Sequence, residues 1–127
     1  MEPLVVVAGG ALGSLARFLT ARALAPHPVF GLPPGTFVVN VLGAFLMGLV
    51  AAWAGASSDA RPLLRLFLTT GVLGGFTTYS AFNQETLRSL QSGALLLGAG
   101  YATLTFATCL MAGLAGDVAG RWLYARL

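Results

Sequence analysis

The chain has 127 residues, of which 57% are hydrophobic and only 9% charged. Its mean hydropathy is +0.83. Soluble domains carry roughly a quarter charged residues, so this composition excludes an ordinary water-soluble domain and a disordered tail. The net charge of +3 comes from seven basic residues, all arginine, against four acids. The arginines are scattered and form no basic stripe for a phosphate backbone, so no nucleic-acid partner is expected. A single cysteine, Cys109, excludes an intrachain disulfide and a cysteine-based zinc site. The 17 glycines have no collagen-like period and read as close helix packing in lipid.

A helix that crosses the hydrocarbon core needs about 20 mostly apolar residues. Residues 3–16 are free of charge and the apolar pattern runs past Arg17 to about Leu24. Residues 35–58, 66–84 and 94–116 are also free of charge. These stretches predict one membrane domain over 1–127 with four spans, near 3–25, 35–56, 63–90 and 94–124. Short connections remain at Pro26 through Pro34, at Ser57 through Pro62 and at Gln91-Ser92-Gly93. Pro34 and Pro62 suit the first turn of spans two and three, where a missing N–H costs nothing. The first span lacks a basic leader and carries Glu2 in its place, so a retained helix is expected rather than a cleaved signal. Trp53, Trp122 and Tyr124 fall near span ends, as interfacial aromatics do.

Four spans place both termini on one side, with Arg61, Arg65, Arg121 and Arg126. The other side holds Arg17, Arg22 and Arg88. Orientation follows the excess of Lys and Arg in cytoplasmic loops. Four against three is almost no bias. Either one or two charges dominate insertion, or the chain inserts both ways.

The third span is unusual. From Thr69 to Phe82 it reads TTGVLGGFTTYSAF. A glycine costs about 1 kcal/mol in a helix interior, and threonine hydroxyls satisfy freed backbone groups locally. Backbone that unwinds in a membrane must be buried in protein or line a wet cavity. Broken membrane helices commonly aim carbonyls at ions. Gly74-Gly75-Phe76-Thr77 is therefore a candidate ion site. The competing reading is a tightly packed interface, since Gly71 and Gly75 form a GxxxG pair.

Other polar residues lie deep. Asn40 is the sole amide in the second span. Tyr101, Thr105 and Cys109 recur at every fourth position of the fourth span and share one face, flanked by Thr108. Hydroxyls on such a face either meet protein or water or bond back to their own helix. Tyr79 and Phe82 share a face beyond the glycines. Glu2, Asp59, Glu85 and Asp117 all fall toward span ends. The absence of a central acid argues against proton-coupled export and a cation-selective ring, and favours an anion. One histidine, His27, and one cysteine offer no acid–base pair at workable spacing for an enzyme.

Three segments, in order, carry a family resemblance. Gly9 through Phe18, GGALGSLARF, resembles the N-terminal GGxxGAxxRY signature of the CrcB/Fluc family. Gly35 through Gly48, GTFVVNVLGAFLMG, resembles its GTLxVNxxGxFLxG element. Gly71 through Phe82, GVLGGFTTYSAF, resembles its GxxGGxTTFSTF element. The resemblance implies an all-α membrane protein with four helices per subunit and a third helix broken in mid-membrane. It implies an antiparallel, dual-topology homodimer in the cell membrane that exports fluoride passively and protects the cell. It also implies a structural, untransported sodium ion held by the Gly74 and Thr77 carbonyls. The fluoride path would involve Asn40, Thr78, Tyr79, Ser80, Phe82, Tyr101 and Thr105, with Glu85 near the entrance and Arg17 near a pore mouth. Two departures stand out: Tyr79 replaces a phenylalanine and Ala81 a hydroxyl residue. The alternatives are a small four-span multidrug exporter, which needs an embedded acid that the first span lacks, and a non-transporting membrane assembly subunit.

Overall fold

In a computed structural model that describes residues 1–56 and 61–125, the chain is helical almost throughout. The expected connection at Ser57 through Ala60, and Arg126, lie outside the described residues. Three long helices dominate: α1 (Glu2–Leu24), α2 (Pro34–Ala56) and, last in the chain, α6 (Leu95–Tyr124). Each is long and apolar enough to cross a membrane. The stretch expected as the third span is not one helix. It divides into α3 (Pro62–Leu66), a wide π-helical segment Phe67–Leu73, a single turn α4 (Gly74–Phe76) and α5 (Tyr79–Gln91). Among the described residues there is no strand, only an isolated bridge between Val29 and Leu32.

Local chemistry sets these boundaries. Pro34 opens α2 and Pro62 opens α3, each at a position whose N–H has no helical partner. Phe30 and Gly31 adopt positive φ, 52° and 80°, and turn the chain between α1 and α2. The α5–α6 connection is a Schellman cap. Gly93 has φ 83°, the Gly93 N–H donates to Leu90 O at 3.1 Å, and the Ala94 N–H donates to Ser89 O at 3.0 Å. This tight reversal lays α5 back along the start of α6.

The glycines decide which helices meet. On α1, a side chain at Gly9 would strike Phe67 O and Gly71 Cα, and one at Gly13 would strike Val72 O and Phe76 N. On the other side, a Cβ at Gly75 would sit 2.6 Å from Gly10 O. The Gly71/Gly75 pair is thus consumed inside the subunit, backbone against backbone on α1. A second zipper joins α2 and α6, where Gly48 faces Gly113 and Asp117, and Gly116 faces Phe45 O. Small residues allow such approach where no hydrophobic force drives helices together in lipid.

Little of the chain is buried within the subunit. Among the described residues the buried apolar side chains are Val39, which is fully enclosed, and Ala52, Leu73 and Tyr101, while large residues such as Leu96, Phe106 and Val118 lie bare. The accessible surface is 8088 Å², against about 6,300 Å² for a soluble monomer of this mass. Many large apolar side chains lie on that surface, which suits lipid and helix partners.

Gly116 and Gly100 test the zipper on one helix. Gly116→Val drives a side chain into the Phe45 backbone, whereas Gly100 has nothing within 4 Å. Overpacking against atoms that cannot move should cost about 3 kcal/mol, and Gly116→Val should lose monodisperse protein on size exclusion in detergent. Gly100→Ala should elute and melt like the parent.

Candidate functional site

The site forms where the segmented stretch leaves helical geometry. Gly74, Gly75 and Phe76 remain helical; the departure comes at Thr77 (φ −79°, ψ 157°) and Thr78 (φ −150°, ψ 111°). The sequence reading placed the candidate break at Gly74-Gly75-Phe76-Thr77, and the departure lies at the C-terminal edge of that stretch. Gly71 and Gly75 instead serve packing on α1, and two adjacent β-branched threonines take the extended backbone that suits them. Thr78 then caps α5, its Oγ1 accepting the Ala81 N–H at 3.2 Å and lying 3.2 Å from Ser80 Oγ.

Asn40 holds this extended pair from α2. Its Nδ2 donates to Thr78 O at 3.0 Å, and its Oδ1 accepts the Thr78 N–H at 2.8 Å. The diversion has a second effect. In a continued helix the Thr78 N–H would serve Gly74 O, and the Ala81 N–H would serve Thr77 O. Both donors are spent elsewhere, on Asn40 and on the Thr78 hydroxyl. Thr77 O receives instead the Arg17 guanidinium from α1 at 3.4 Å. Gly74 lies exposed on the subunit surface. Among the described residues no cluster of His, Cys, Asp or Glu forms a metal site, so main-chain oxygens are the hard donors on offer. Gly74 O and Thr77 O fit a monovalent cation in that respect.

A cavity of about 320 Å³ opens beside the break, lined by Asn40, Thr77, Tyr79, Phe82, Thr105, Phe106, Cys109 and Leu110. No charged side chain lines it. Phe82 in its lining stands 5.7 Å from the Tyr79 ring and 5.6 Å from the Tyr101 ring, tilted 54° and 46°. Tilted aromatic pairs present ring edges, which are electropositive. Thr105 is 3% exposed, and its Oγ1 has no hydrogen-bond partner. Leaving a buried hydroxyl unpaired costs about 1–3 kcal/mol, so this position favours a polar occupant. Thr108, by contrast, bonds back to Leu104 O and Thr105 O. Of the two readings of the fourth-span hydroxyls, back-bonding holds at Thr108 and not at Thr105.

Glu85 of α5 ties three helices together. Its Oε1 accepts from Thr36 Oγ1 of α2 at 2.6 Å and its Oε2 from the Tyr101 hydroxyl of α6 at 2.7 Å. The Tyr101 proton is therefore committed to a carboxylate, while Asn40 retains one amide hydrogen and Thr105 its hydroxyl hydrogen. Thr36 escaped the sequence reading. It stands one turn before Asn40 on α2 and is 8% exposed, and that i, i+4 spacing is the signal that would have found it. A separate cavity of about 270 Å³ takes in Ser14, Arg17, Thr36 and Thr78. A third, of about 450 Å³, is nearly all apolar and lies between the α1–α2 turn and the first half of α6, with Tyr101 in its lining.

The break thus gathers Asn40, Thr77, Thr78, Ser80 and Arg17; the cavity gathers Asn40, Tyr79, Phe82 and Thr105; and Glu85 with Tyr101 braces both. Comparison with known proteins agrees with the three sequence segments that build them. The profile of the family described as CrcB-like protein, Camphor Resistance (CrcB), matches residues 4–117. A protein of Anaeromyxobacter sp. (strain K) named fluoride-specific ion channel FluC is 46% identical over 124 residues, covering 94% of this chain and 95% of that protein. Proteins of the same name from Sorangium cellulosum and Allorhizobium ampelinum are 42% and 41% identical, over 92% and 98% of this chain and 92% and 100% of their own lengths. A match along nearly the whole chain, through every helix that shapes the break and its cavity, makes this chain a member of the CrcB family.

Proposed function

We propose that this chain is the subunit of a fluoride channel, a multi-pass protein of the cell membrane that lets fluoride leave the cytoplasm passively. The observation that carries the reading is the cavity beside the break. It offers hydrogen-bond donors and ring edges without a single carboxylate in its lining. A small, strongly hydrated anion needs donors to replace its water. Here the spare amide hydrogen of Asn40, the orphan hydroxyl of Thr105 and the edge of Phe82 supply them. The relatives named as fluoride-specific channels support the choice of anion. Tyr79 carries edge hydrogens as the family phenylalanine does, and adds an O–H donor. An exporter of cationic drugs would need an embedded acid, and a mere assembly subunit would have no use for a buried donor without a partner.

The finer architecture follows from the same residues. Residues 62–91 form the third of four membrane crossings, interrupted at Thr77–Thr78. Two copies pack antiparallel, which suits the near-equal split of arginines. Tyr79, 78% exposed in the subunit, then lies against the second copy, as does Gly74. Gly74 O and Thr77 O of each copy would hold one sodium ion at the dimer centre, and its charge would favour an anion nearby without a basic side chain in the path. Ser80 and Thr78 shape the backbone at that centre, and Arg17 steadies the Thr77 carbonyl from the other side.

Three measurements test this reading. Purified protein in liposomes should release fluoride much faster than chloride. Phe82→Ile keeps apolar bulk but removes the ring edge, and should cut fluoride release at least a hundredfold in a folded dimer, while Tyr79→Phe should retain it. Equal release of both halides by the parent would overturn the channel assignment.

Single cysteines placed at the C-terminus of Cys109→Ser protein should react with an impermeant reagent from both sides of the membrane in intact cells. Labelling from one side alone would defeat the antiparallel arrangement.

Replacing sodium on both sides by a large organic cation should dissociate the dimer and stop fluoride release. Thr77→Ser should change little, because main-chain atoms bind. Gly74→Val has room within the subunit, with Thr69 O at 3.5 Å the nearest neighbour to its Cβ, so it should yield folded monomers that no longer pair. Undiminished assembly after thorough sodium removal would refute the cation site.

A further inference from the structure

The apolar cavity between the α1–α2 turn and α6 has no part in the readings above. Its walls include Val29 and Phe30 of the turn, Phe37 of α2, and Leu96, Gly100 and Leu104 of α6. Leu96 and Leu104 are 92% and 56% exposed, so the cavity is a groove open along one side. It begins in the first turn of α6 and runs two turns deeper, about 12 Å at the rise of a helix. It therefore leads from the end of a helix long and apolar enough to cross a membrane into the hydrocarbon depth. At 3.6 residues per turn, this groove and the cavity beside the break lie on either side of the α6 seam made by Gly98, Thr105 and Gly116. A second copy packed at the break covers the other flank and leaves this one to the bilayer.

Two local features of the groove lack a reason inside the subunit. Gly100 sits in a helix interior, where glycine is unfavourable, yet a Cβ there would meet nothing within 4 Å. The buried glycines of the same helix, Gly98, Gly116 and Gly120, each face backbone or a side chain of their own subunit. Phe30 holds φ at 52° in a two-residue turn closed by the Val29 and Leu32 backbone bonds. Bulky residues rarely take that conformation, and Phe30 is 86% exposed. The missing side chain at Gly100 hollows the groove, and Phe30 forms its rim.

Charge singles out the occupant. The groove opens at the end of the subunit where the α1–α2 and α5–α6 connections lie. Arg22 in the last turn of α1 and Arg88 in the last turn of α5 mark this end, and both are exposed. Among the described residues the one acid there is Glu85, whose two oxygens accept from Thr36 and Tyr101. We infer that the groove seats one acyl chain of an anionic phospholipid, its phosphate drawn to the basic end marked by Arg22 and Arg88. An acyl chain fills an apolar slot without asking for a hydrogen bond, and basic residues at a membrane surface attract anionic headgroups. The chain packs into the space left at Gly100 and holds the α1–α2 turn against α6. Such a seat is independent of the ion that the protein carries.

The test is native mass spectrometry of the full-length protein, stripped of lipid in detergent and titrated with phosphatidylglycerol or phosphatidylcholine of identical acyl chains. The parent should retain one phosphatidylglycerol per chain, at least tenfold more tightly than phosphatidylcholine. Gly100→Leu fills the groove and should weaken phosphatidylglycerol at least tenfold. Gly55→Leu, equally free of neighbours but at the far end of α2, should not. Arg22→Gln combined with Arg88→Gln should erase the preference between the two lipids. In the parent, a phosphatidylglycerol with a diazirine on one acyl chain should label residues 29–37 and 96–104 on illumination. Equal retention of the two lipids by the parent would overturn the seat, as would unaltered retention by Gly100→Leu or labelling spread over the exposed face of α1. Loss of the dimer in Gly100→Leu with lipid retention intact would assign the groove to a second copy and overturn it too. If Gly100→Leu failed to fold, the labelling of the parent would decide alone. Fluoride release enters none of these readouts, so failure of the channel reading leaves the result standing.

Discussion

The two hydrogen bonds between the Asn40 amide and the Thr78 backbone are the interaction on which the rest of the site depends. A peptide group that leaves helical geometry in an apolar setting has a donor and an acceptor to satisfy, and each costs free energy when left bare. Asn40 answers both at once, with its Nδ2 on Thr78 O and its Oδ1 on the Thr78 N–H. A carboxylate could accept but not donate, and an aliphatic side chain could do neither. The amide thus makes an extended segment tolerable where a helix would otherwise be the only stable backbone.

That one arrangement propagates in two directions. Toward the N-terminus it strips Gly74 O and Thr77 O of the N–H groups a helix would give them, and Thr77 O takes the Arg17 guanidinium instead. Toward the C-terminus it lets Thr78 cap α5, which aims Phe82 at the cavity and brings Glu85 within reach of Thr36 and Tyr101. The two halves cannot drift, because the half before the break is locked to α1 by glycines and the half after it is locked to α6 by the Gly93 cap and the Glu85 clamp. The geometry of the cavity is therefore set by main-chain contacts and short polar bonds, with little help from a conventional apolar core.

Much of the architecture was legible in the sequence, for identifiable reasons. Long apolar runs bounded by proline and arginine leave few options, so the helices at 2–24, 34–56 and 95–124 follow from hydropathy alone. The polar face of Tyr101 and Thr105 follows from spacing. The location of the break did not follow so closely. Gly71, Gly74 and Gly75 drew attention as helix breakers, yet in this chain they remain helical and two of them make room for α1. Their role depends on what lies opposite, which no local pattern records. The Thr36–Glu85–Tyr101 bracket was hidden for the same reason, since its members are 49 and 16 residues apart. Thr108 and Thr105 look equivalent on paper; only the packed structure separates a hydroxyl satisfied by its own helix from one left without a partner.

The segmentation of residues 62–91 also bears on how the protein is made. The three long helices are apolar enough to enter a bilayer on their own account. The segmented stretch carries Arg65 near one end and Asn83, Gln84, Glu85 and Arg88 near the other, and at its middle is a peptide that needs Asn40. In the proposed four-span arrangement its entry into lipid is a folding event rather than a simple partition. The partners of its first half and of the break, the glycine face of α1 and the amide of α2, precede it in the chain and emerge from the ribosome first, while α6, the partner of its second half, follows. The order of the helices in the gene thereby supplies a template for the least hydrophobic crossing before that crossing has to be made.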